Sequence, residues 1–463
     1  MTNDLRPRTE PLDLLGVGVG PFNLSLAALA DQVPGLRAEF LERAQDFPWR
    51  PGPTPDGGTL QVPFLADLVS PVDPSSPWSF PGYLRASKRL LPSSFAERLH
   101  IQSTEYDAYC RWVSHGLPQC RFGHRVDSVC WDEPRQAFAV DYTYEHATGG
   151  EVVAGRAHAR NLVLGIGTEP AVPAALRHLL ADNGATALHA ADYLSRRDEL
   201  LGKRHVTVVG SGRSGAEVFL DLLRARPTGR EGLHWITRSP SFGPTEYSGP
   251  GPQQLIPDRT RLFHRLPGQN RDGLPPQQGQ LQEGTSAETI GTIHDELYRR
   301  TVAGGRPDAA LRAATAIRTG RVRDGRIDLE IEHARQGRTE TLTTDAVVLA
   351  TGRTERRSDN LLHGLAPYVV RDRSGRALVD ADHRLALDGP ARGSVFVTHG
   401  SGFGAPNLGT AAWRSATILN ALTGRDIHHL PTRPAFPTPG GTHDTPAPAP
   451  GTTRPPTSWA ALR

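Results

Sequence analysis

The sequence predicts an α/β protein built from two Rossmann-like dinucleotide-binding units, the second inserted in the first. Two glycine-rich turns carry this expectation, Leu14-Leu-Gly16-Val-Gly18-Val-Gly20-Pro21-Phe-Asn23 and Val206-Thr-Val-Val-Gly210-Ser-Gly212-Arg213-Ser214-Gly215. Each follows a short apolar run and opens a helical pattern, so the backbone turns tightly next to a pyrophosphate while the helix aims its first N–H groups and positive dipole end at it. One such turn is weak evidence; a second, after a long interval containing further strands, is much stronger. At 463 residues the chain also exceeds the size at which a single core stops growing.

In chain order, a strand over Asp13–Gly18, a helix from Phe22 to Gln32 and a strand over Ala38–Glu42 read as the first βαβ unit. Glu42 ends its second strand, where an acid accepts hydrogen bonds from ribose hydroxyls; otherwise it is an exposed strand-end charge. The Pro/Gly/Asp-rich segment from Asp46 to Pro81 contains Leu60-Gln61-Val-Pro-Phe-Leu-Ala66-Asp67-Leu-Val69, too apolar for a solvated linker, and reads as an ordered loop lining a site. A helix is expected over Phe95–Ser114, with Tyr106, Tyr109 and Trp112 as core. Alternating strands over Arg121–Tyr144 lead to Asn161-Leu-Val-Leu-Gly165-Ile-Gly167, a buried strand ending in glycines.

The second unit runs through a helix at Gly215–Arg224 and a strand at Leu233–Thr237 that ends on Arg238, where the first unit has an acid. A cation there favours a 2′-phosphate, hence NADPH over NADH; the alternative is a solvated surface arginine. Phe242 to Gly284 is dense in Pro, Gly, Gln and Arg and reads as a substrate-covering loop, followed by a helix over Ala287–Thr301. Asp345-Ala-Val-Val-Leu-Ala-Thr351-Gly352 is a buried strand returning to the first unit, and His399-Gly-Ser401-Gly-Phe-Gly-Ala-Pro-Asn407-Leu408-Gly precedes a last helix over Ala411–Leu422. The expected domains are 8–198 and 356–428 for the first unit, 199–355 for the second with its loop at 242–286, and a disordered Pro-rich tail at 429–463.

Bulk properties exclude several classes. Fifty-two Lys+Arg against 49 Asp+Glu give a net charge of +3 without a basic stripe, so nucleic acid is not an expected partner. No stretch approaches the roughly 18 apolar residues of a membrane span, and no apolar leader opens the chain. Cys110, Cys120 and Cys130 lack both C-x-x-C and metal-ligand spacing, which implies a reducing, cytoplasmic location and no metal. The missing Cys pair also speaks against a flavoprotein disulfide reductase.

Taken together, Gly18-x-Gly20-Pro-x-Asn23-Leu, Phe47-x-Trp49, Leu60-Gln61-x-x-Phe-Leu-x-Asp67-Leu-Val, Ser79-Phe-x-x-Tyr83-Leu, the Gly210 turn and Asp345-x-x-x-Leu-Ala-Thr-Gly352 resemble the flavin-dependent N-hydroxylating monooxygenases. These are the lysine and ornithine N-monooxygenases and the siderophore diamine N-monooxygenases, and the lysine/diamine branch is the nearer. The resemblance spans Leu12 to Leu422. It implies a class B flavoprotein monooxygenase fold, FAD at the first turn and NADPH at the second. It further implies a C4a-hydroperoxyflavin that transfers oxygen from O2 to the terminal amine of L-lysine, L-ornithine, cadaverine or putrescine, in siderophore or related biosynthesis. Such an intermediate must be shielded from water, and the amine must be neutral despite an ordinary pKa near 10.4. By the same resemblance Gln61 lies beside the flavin ring, Trp49 near the isoalloxazine, and the enzyme is a homotetramer.

The sequence departs from that pattern around the substrate. Ala66 stands where ornithine-type members carry a carboxylate-binding lysine, which favours a diamine or an acid held elsewhere. The family's Asn-Glu pair after Glu246-Tyr-Ser248 is replaced by Gly249-Pro-Gly-Pro-Gln253-Gln254, its tyrosine after Ala-Thr-Gly by Arg353, and its His-Thr-His-Gly by His399-Gly-Ser401-Gly. Gln253, Ser401 and Asn407 are the candidate substrate groups, each equally a loop or cap residue. Two other outcomes stay open: a variant flavin oxygenase or NADPH oxidase acting on another amine, and a non-catalytic cofactor-binding homologue.

Overall fold

Short apolar strands that carry no alternation must be covered on both faces, and this chain buries them in two separate parallel sheets. The computed structural model describes residues 10–47, 59–96, 99–145, 152–181, 184–230, 232–243, 285–302, 308–356, 358, 360–372, 375–398 and 408–431. Apart from Pro431, these belong to one unit, residues 1–430.

The chain begins with β1 (Leu14–Val17), α1 (Pro21–Ala30) and β2 (Ala38–Glu42), the expected βαβ unit. An antiparallel ribbon of β3 (Thr59–Pro63) and β4 (His100–Gln102) brackets two short helices, α2 (Phe80–Ala86) and α3 (Leu90–Phe95). Helix α4 (Ser103–Gly116) follows at once. The helix expected to start at Phe95 therefore starts at Ser103, because His100–Gln102 pair with β3 instead, a tertiary contact overriding local periodicity. Tyr106 and Tyr109 are core, as expected, and Phe95 is 79% exposed.

Next come β5 (Cys120–Phe122), the antiparallel meander β6 (His124–Asp132), β7 (Ala137–Glu145) and β8 (Val152–Ala159), then β9 (Leu162–Leu164) and β10 (Thr168–Pro170). The second sheet is assembled from β11 (Thr186–His189), α5 (Tyr193–Gly202), β12 (Val206–Val209), α6 (Arg213–Ala225), β13 (Leu233–Ile236), α7 (Ala287–Thr301) and β14 (Ala309–Arg312). A second meander, β15 (Thr315–Arg323), β16 (Arg326–His333) and β17 (Arg338–Thr344), precedes the return strand β18 (Ala346–Leu349), β19 (Arg353–Glu355), β20 (Val395–Val397) and α8 (Ala411–Thr423).

The first sheet has the order β20-β9-β1-β2-β5 and the second β11-β18-β12-β13-β14, all neighbours parallel. Everything between β9 and β20 that builds the second sheet interrupts the first, so one Rossmann-like unit is inserted in the other. The second sheet takes its edge strand from Thr186–His189, ahead of the position 199 at which the sequence places its start. The two chain crossings form a small ribbon, β10 antiparallel to β19. Helices α1 and α8 lie together beside the first sheet, joined by Ser415 Oγ donating to Ser25 Oγ at 2.9 Å and by a shared apolar cluster with β1, β2 and α4. Around the second sheet, Phe219 stacks on Trp235 at 4.8 Å within its own core.

Candidate active site

In open parallel sheets ligands bind beyond the carboxyl ends of the strands, and both glycine turns stand there. At the first, Gly18 has φ +88°, and a Cβ on it would lie 2.6 Å from the carbonyl oxygen of Gly165 at the end of β9. Gly165 in turn leaves room for Asn23, whose side-chain amide donates to the carbonyls of Val17 (3.2 Å) and Gly18 (2.8 Å). Asn23 thus fastens the turn from below, and its buried Oδ1 makes no hydrogen bond. Gly16 faces the ring of Phe40, with which any side chain would collide.

Gly20 is the N-cap of α1 and Pro21 follows it, where a missing N–H is harmless. No side chain caps this helix, its first turn carries no acid, and the space above Gly20 holds no atom within 4 Å of an added Cβ. Ser79 and Ser286 cap α2 and α7, whereas α3, α4, α5 and α8 also lack a side-chain cap, so the glycine at the N-cap with open space above it is what sets α1 apart. An uncapped, acid-free N-terminus beside an open glycine suits a phosphate. Glu42 is 7% exposed; Oε2 accepts the Val19 N–H at 2.9 Å and Oε1 the Ala44 N–H at 2.9 Å. Each oxygen keeps a lone pair for a ribose hydroxyl.

The second turn repeats the design. Gly210 has φ +117°, and a Cβ there would collide with the Ala350 carbonyl, while one at Gly215 would collide with the Gly210 carbonyl, so strand, helix and return strand are in close contact. Gly212 caps α6 with no side-chain bond and no acid in the first turn. Arg213 bonds Glu217 and Ser103, and Ser214 is exposed. Arg238 is exposed just beyond β13, beside a hydroxyl cluster in which Thr237 Oγ1 donates to Ser211 Oγ at 3.0 Å and Ser211 Oγ to Ser239 Oγ at 3.3 Å.

Thr351 and Gly352 follow β18 at the crossing. Thr351 Oγ1 donates to the Ala171 carbonyl at 2.5 Å, and the Gly352 carbonyl accepts the Ala171 N–H at 3.0 Å and lies 3.0 Å from His189 Nε2. Arg353 lies along the crossing ribbon, its guanidinium donating to Thr168 Oγ1 (2.7 Å) and the Thr168 carbonyl (2.8 Å). Leu408 opens a short 3-10 turn (Leu408–Thr410) ahead of α8 and packs on the first sheet's core. Gln61 is on β3, one strand of the β3/β4 ribbon, and Ala66 sits in the turn after it, its N–H donating to the Pro63 carbonyl at 2.8 Å. Trp49, Gln253, Ser401 and Asn407 lie outside the described residues, as does the chain from 244 to 284.

Sequence reasoning assigned no role to three groups the structure brings forward. Asp67 is buried under the Ala66 turn and accepts from the backbone N–H groups of Val69, Ser70 and Phe80 and from Ser70 Oγ, at 2.5–2.9 Å. Burial raises its pKa in spite of these donors. Arg414 on α8 is buried, lies 5.5 Å over the Phe22 ring and donates to the Thr398 carbonyl at 2.9 Å. Burial lowers its pKa to about 10, so it stays charged at the carboxyl end of the first sheet. Ser103, at the start of α4, joins the two halves of the molecule. For Asp67 the signal was present, a charge within an apolar run; for Arg414 and Ser103 only the tertiary contacts reveal it.

Two parallel sheets, one inserted in the other and each with a glycine turn and a helix N-terminus without a side-chain cap at its carboxyl end, define a protein of the two-dinucleotide flavoprotein class. The chain belongs to the L-lysine 6-monooxygenase/L-ornithine 5-monooxygenase family, whose model matches residues 10–355, and is a flavin-dependent N-hydroxylating monooxygenase. It is 38% identical to a rhizobactin siderophore biosynthesis protein of Rhizobium meliloti, over 92% of this chain and 94% of that one. To the putrescine N-hydroxylase of Shewanella oneidensis it is 33% identical, over 92% and 84%. Among solved structures it resembles the FAD-bound cadaverine monooxygenase of the desferrioxamine pathway of Erwinia amylovora, at 30% identity and a TM-score of 0.85, over 94% of this chain and all of that one.

Proposed function

We propose that this enzyme N-hydroxylates one terminal amine of an aliphatic diamine, cadaverine or putrescine, for siderophore assembly. Ala66 carries the reading. A methyl group at that turn offers no charge to an amino-acid carboxylate, and the carboxylate beneath it, Asp67, is already bound by four donors and takes no part in binding an amine. The named activities of the Shewanella and Erwinia relatives support the same substrate class.

FAD would be held at the first turn by Gly18, Gly20, the α1 N-terminus and Glu42, with Leu408, Gln61 and Trp49 around its ring. NADPH would be held at the second by Gly210, Gly212, the backbone N–H of Arg213, Ser214 and Arg238, with Thr351 and Gly352 at the crossing beside it. The pair supplies hydride transfer and oxygen activation; the chain's own part is to bind both, exclude water and present a neutral amine. Gln253, Ser401 and Asn407 would supply polar contacts to the diamine. A homotetramer in the cytoplasm is the expected working form; among the described residues no helix is long and apolar enough to cross a membrane.

The test is a steady-state panel of cadaverine, putrescine, L-lysine and L-ornithine with hydroxylamine detection. The reading requires kcat/KM for a diamine to exceed that for either amino acid by about tenfold or more, the worth of one charge-assisted contact. Preference for an amino acid would refute it.

A further inference from the structure

Arg213 is the first residue of α6, directly behind the second glycine turn, and its guanidinium is divided between two partners. Nε donates to Glu217 Oε1 one helical turn on, at 2.7 Å, and Nη2 donates to Ser103 Oγ at 3.0 Å. Ser103 is fully buried and belongs to the other half of the molecule, at the junction of β4 and α4. Its neighbour Gln102 pairs with Thr59 of β3, the strand that carries Gln61. One side chain therefore ties the start of α6 behind the second nucleotide turn to the β4/α4 junction, whose ribbon packs into the core of the first sheet through Leu60 and Ile101. At the crossing ribbon the halves are joined by backbone and by Arg353; Arg213 adds a tether far from that hinge in the chain. A planar fork can serve both partners in fixed directions, which a lysine ammonium cannot. Glu217, 8% exposed, fixes the fork from the helix side.

We propose that Arg213 is a positioning residue whose bond to Ser103 docks the second nucleotide turn over the β3/β4 ribbon, setting the hydride donor in line with the flavin. The inference rests on the two-cofactor reading above. A docking contact of this kind acts on the geometry of hydride transfer rather than on nucleotide affinity.

Ser103→Ala tests it in the FAD-loaded enzyme, with three readouts. The expected results are an NADP+ Kd, by calorimetry, within about twofold of the parent; anaerobic flavin reduction at saturating NADPH slowed about tenfold, the loss of one hydrogen bond to a charged group; and faster hydrogen exchange in the first turn of α4 without NADPH present. Flavin absorbance and reduction by dithionite stay as in the parent. Adding Arg213→Gln to Ser103→Ala slows reduction no further than Arg213→Gln alone, because both remove the same contact. Parent-like reduction by Ser103→Ala, or a loss of flavin and nucleotide binding together, would overturn the proposal. A parent enzyme that NADPH does not reduce would instead overturn the two-cofactor reading itself.

Discussion

The Glu42 carboxylate accepts the backbone N–H of Val19 at 2.9 Å, so the acid at the end of β2 is bonded to the middle of the first glycine turn. One side chain thereby fixes the turn, and in the proposed function the same carboxylate receives the ribose of FAD. Glu42→Ala should weaken FAD binding by about tenfold or more and destabilise the apoprotein by about 1–3 kcal/mol, since it leaves two backbone donors without their carboxylate. Titration of deflavinated protein with FAD and a thermal melt read these separately.

At the second turn, Gly210→Ala places a methyl group against the Ala350 carbonyl at a φ of +117° that L-residues rarely adopt. The variant should keep its flavin absorbance while its KM for NADPH rises about tenfold or more. Spectra and NADPH-dependent kinetics on one preparation check it.

Arg238 is exposed beyond β13, next to Ser211 and Ser239. If it meets the 2′-phosphate, Arg238→Gln should lower the preference for NADPH over NADH by about tenfold, almost wholly through the NADPH constant. An unchanged ratio would make it a solvated surface charge.

Burial beside Arg312 lowers the pKa of His234 to about 4. The folded protein resists protonation here while the unfolded chain takes up a proton near pH 6.5, so this contribution to stability is intact above that pH and declines as pH falls toward 4. His234→Gln should flatten the fall of Tm between pH 6.5 and 4; an identical slope in parent and variant would assign the loss to other groups.

Much of this molecule was legible because its signals are local. The strand at Ala38–Glu42, the helix at Ala287–Thr301 and both glycine turns follow from short-range sterics and periodicity. What escaped depends on distant pairing. Residues His100–Gln102 look helical alone and become a strand because β3 lies beside them, and Thr186–His189 join the second sheet because β18 accepts them. Gly16 and Asn23 stand in the motif as expected, yet one accommodates Phe40 and the other holds the turn's carbonyls. The buried charge of Arg414 could not be foreseen either, since an arginine between apolar and small residues on a helix commonly faces water.

The central claim is tested most directly by a single turnover. Enzyme reduced anaerobically with one equivalent of NADPH per flavin is mixed with oxygenated buffer containing cadaverine or, in a parallel run, putrescine, and the N-hydroxylated diamine is counted against flavin. Product approaching one per flavin is the predicted result; hydrogen peroxide alone, with no hydroxylamine from cadaverine or putrescine, would contradict it.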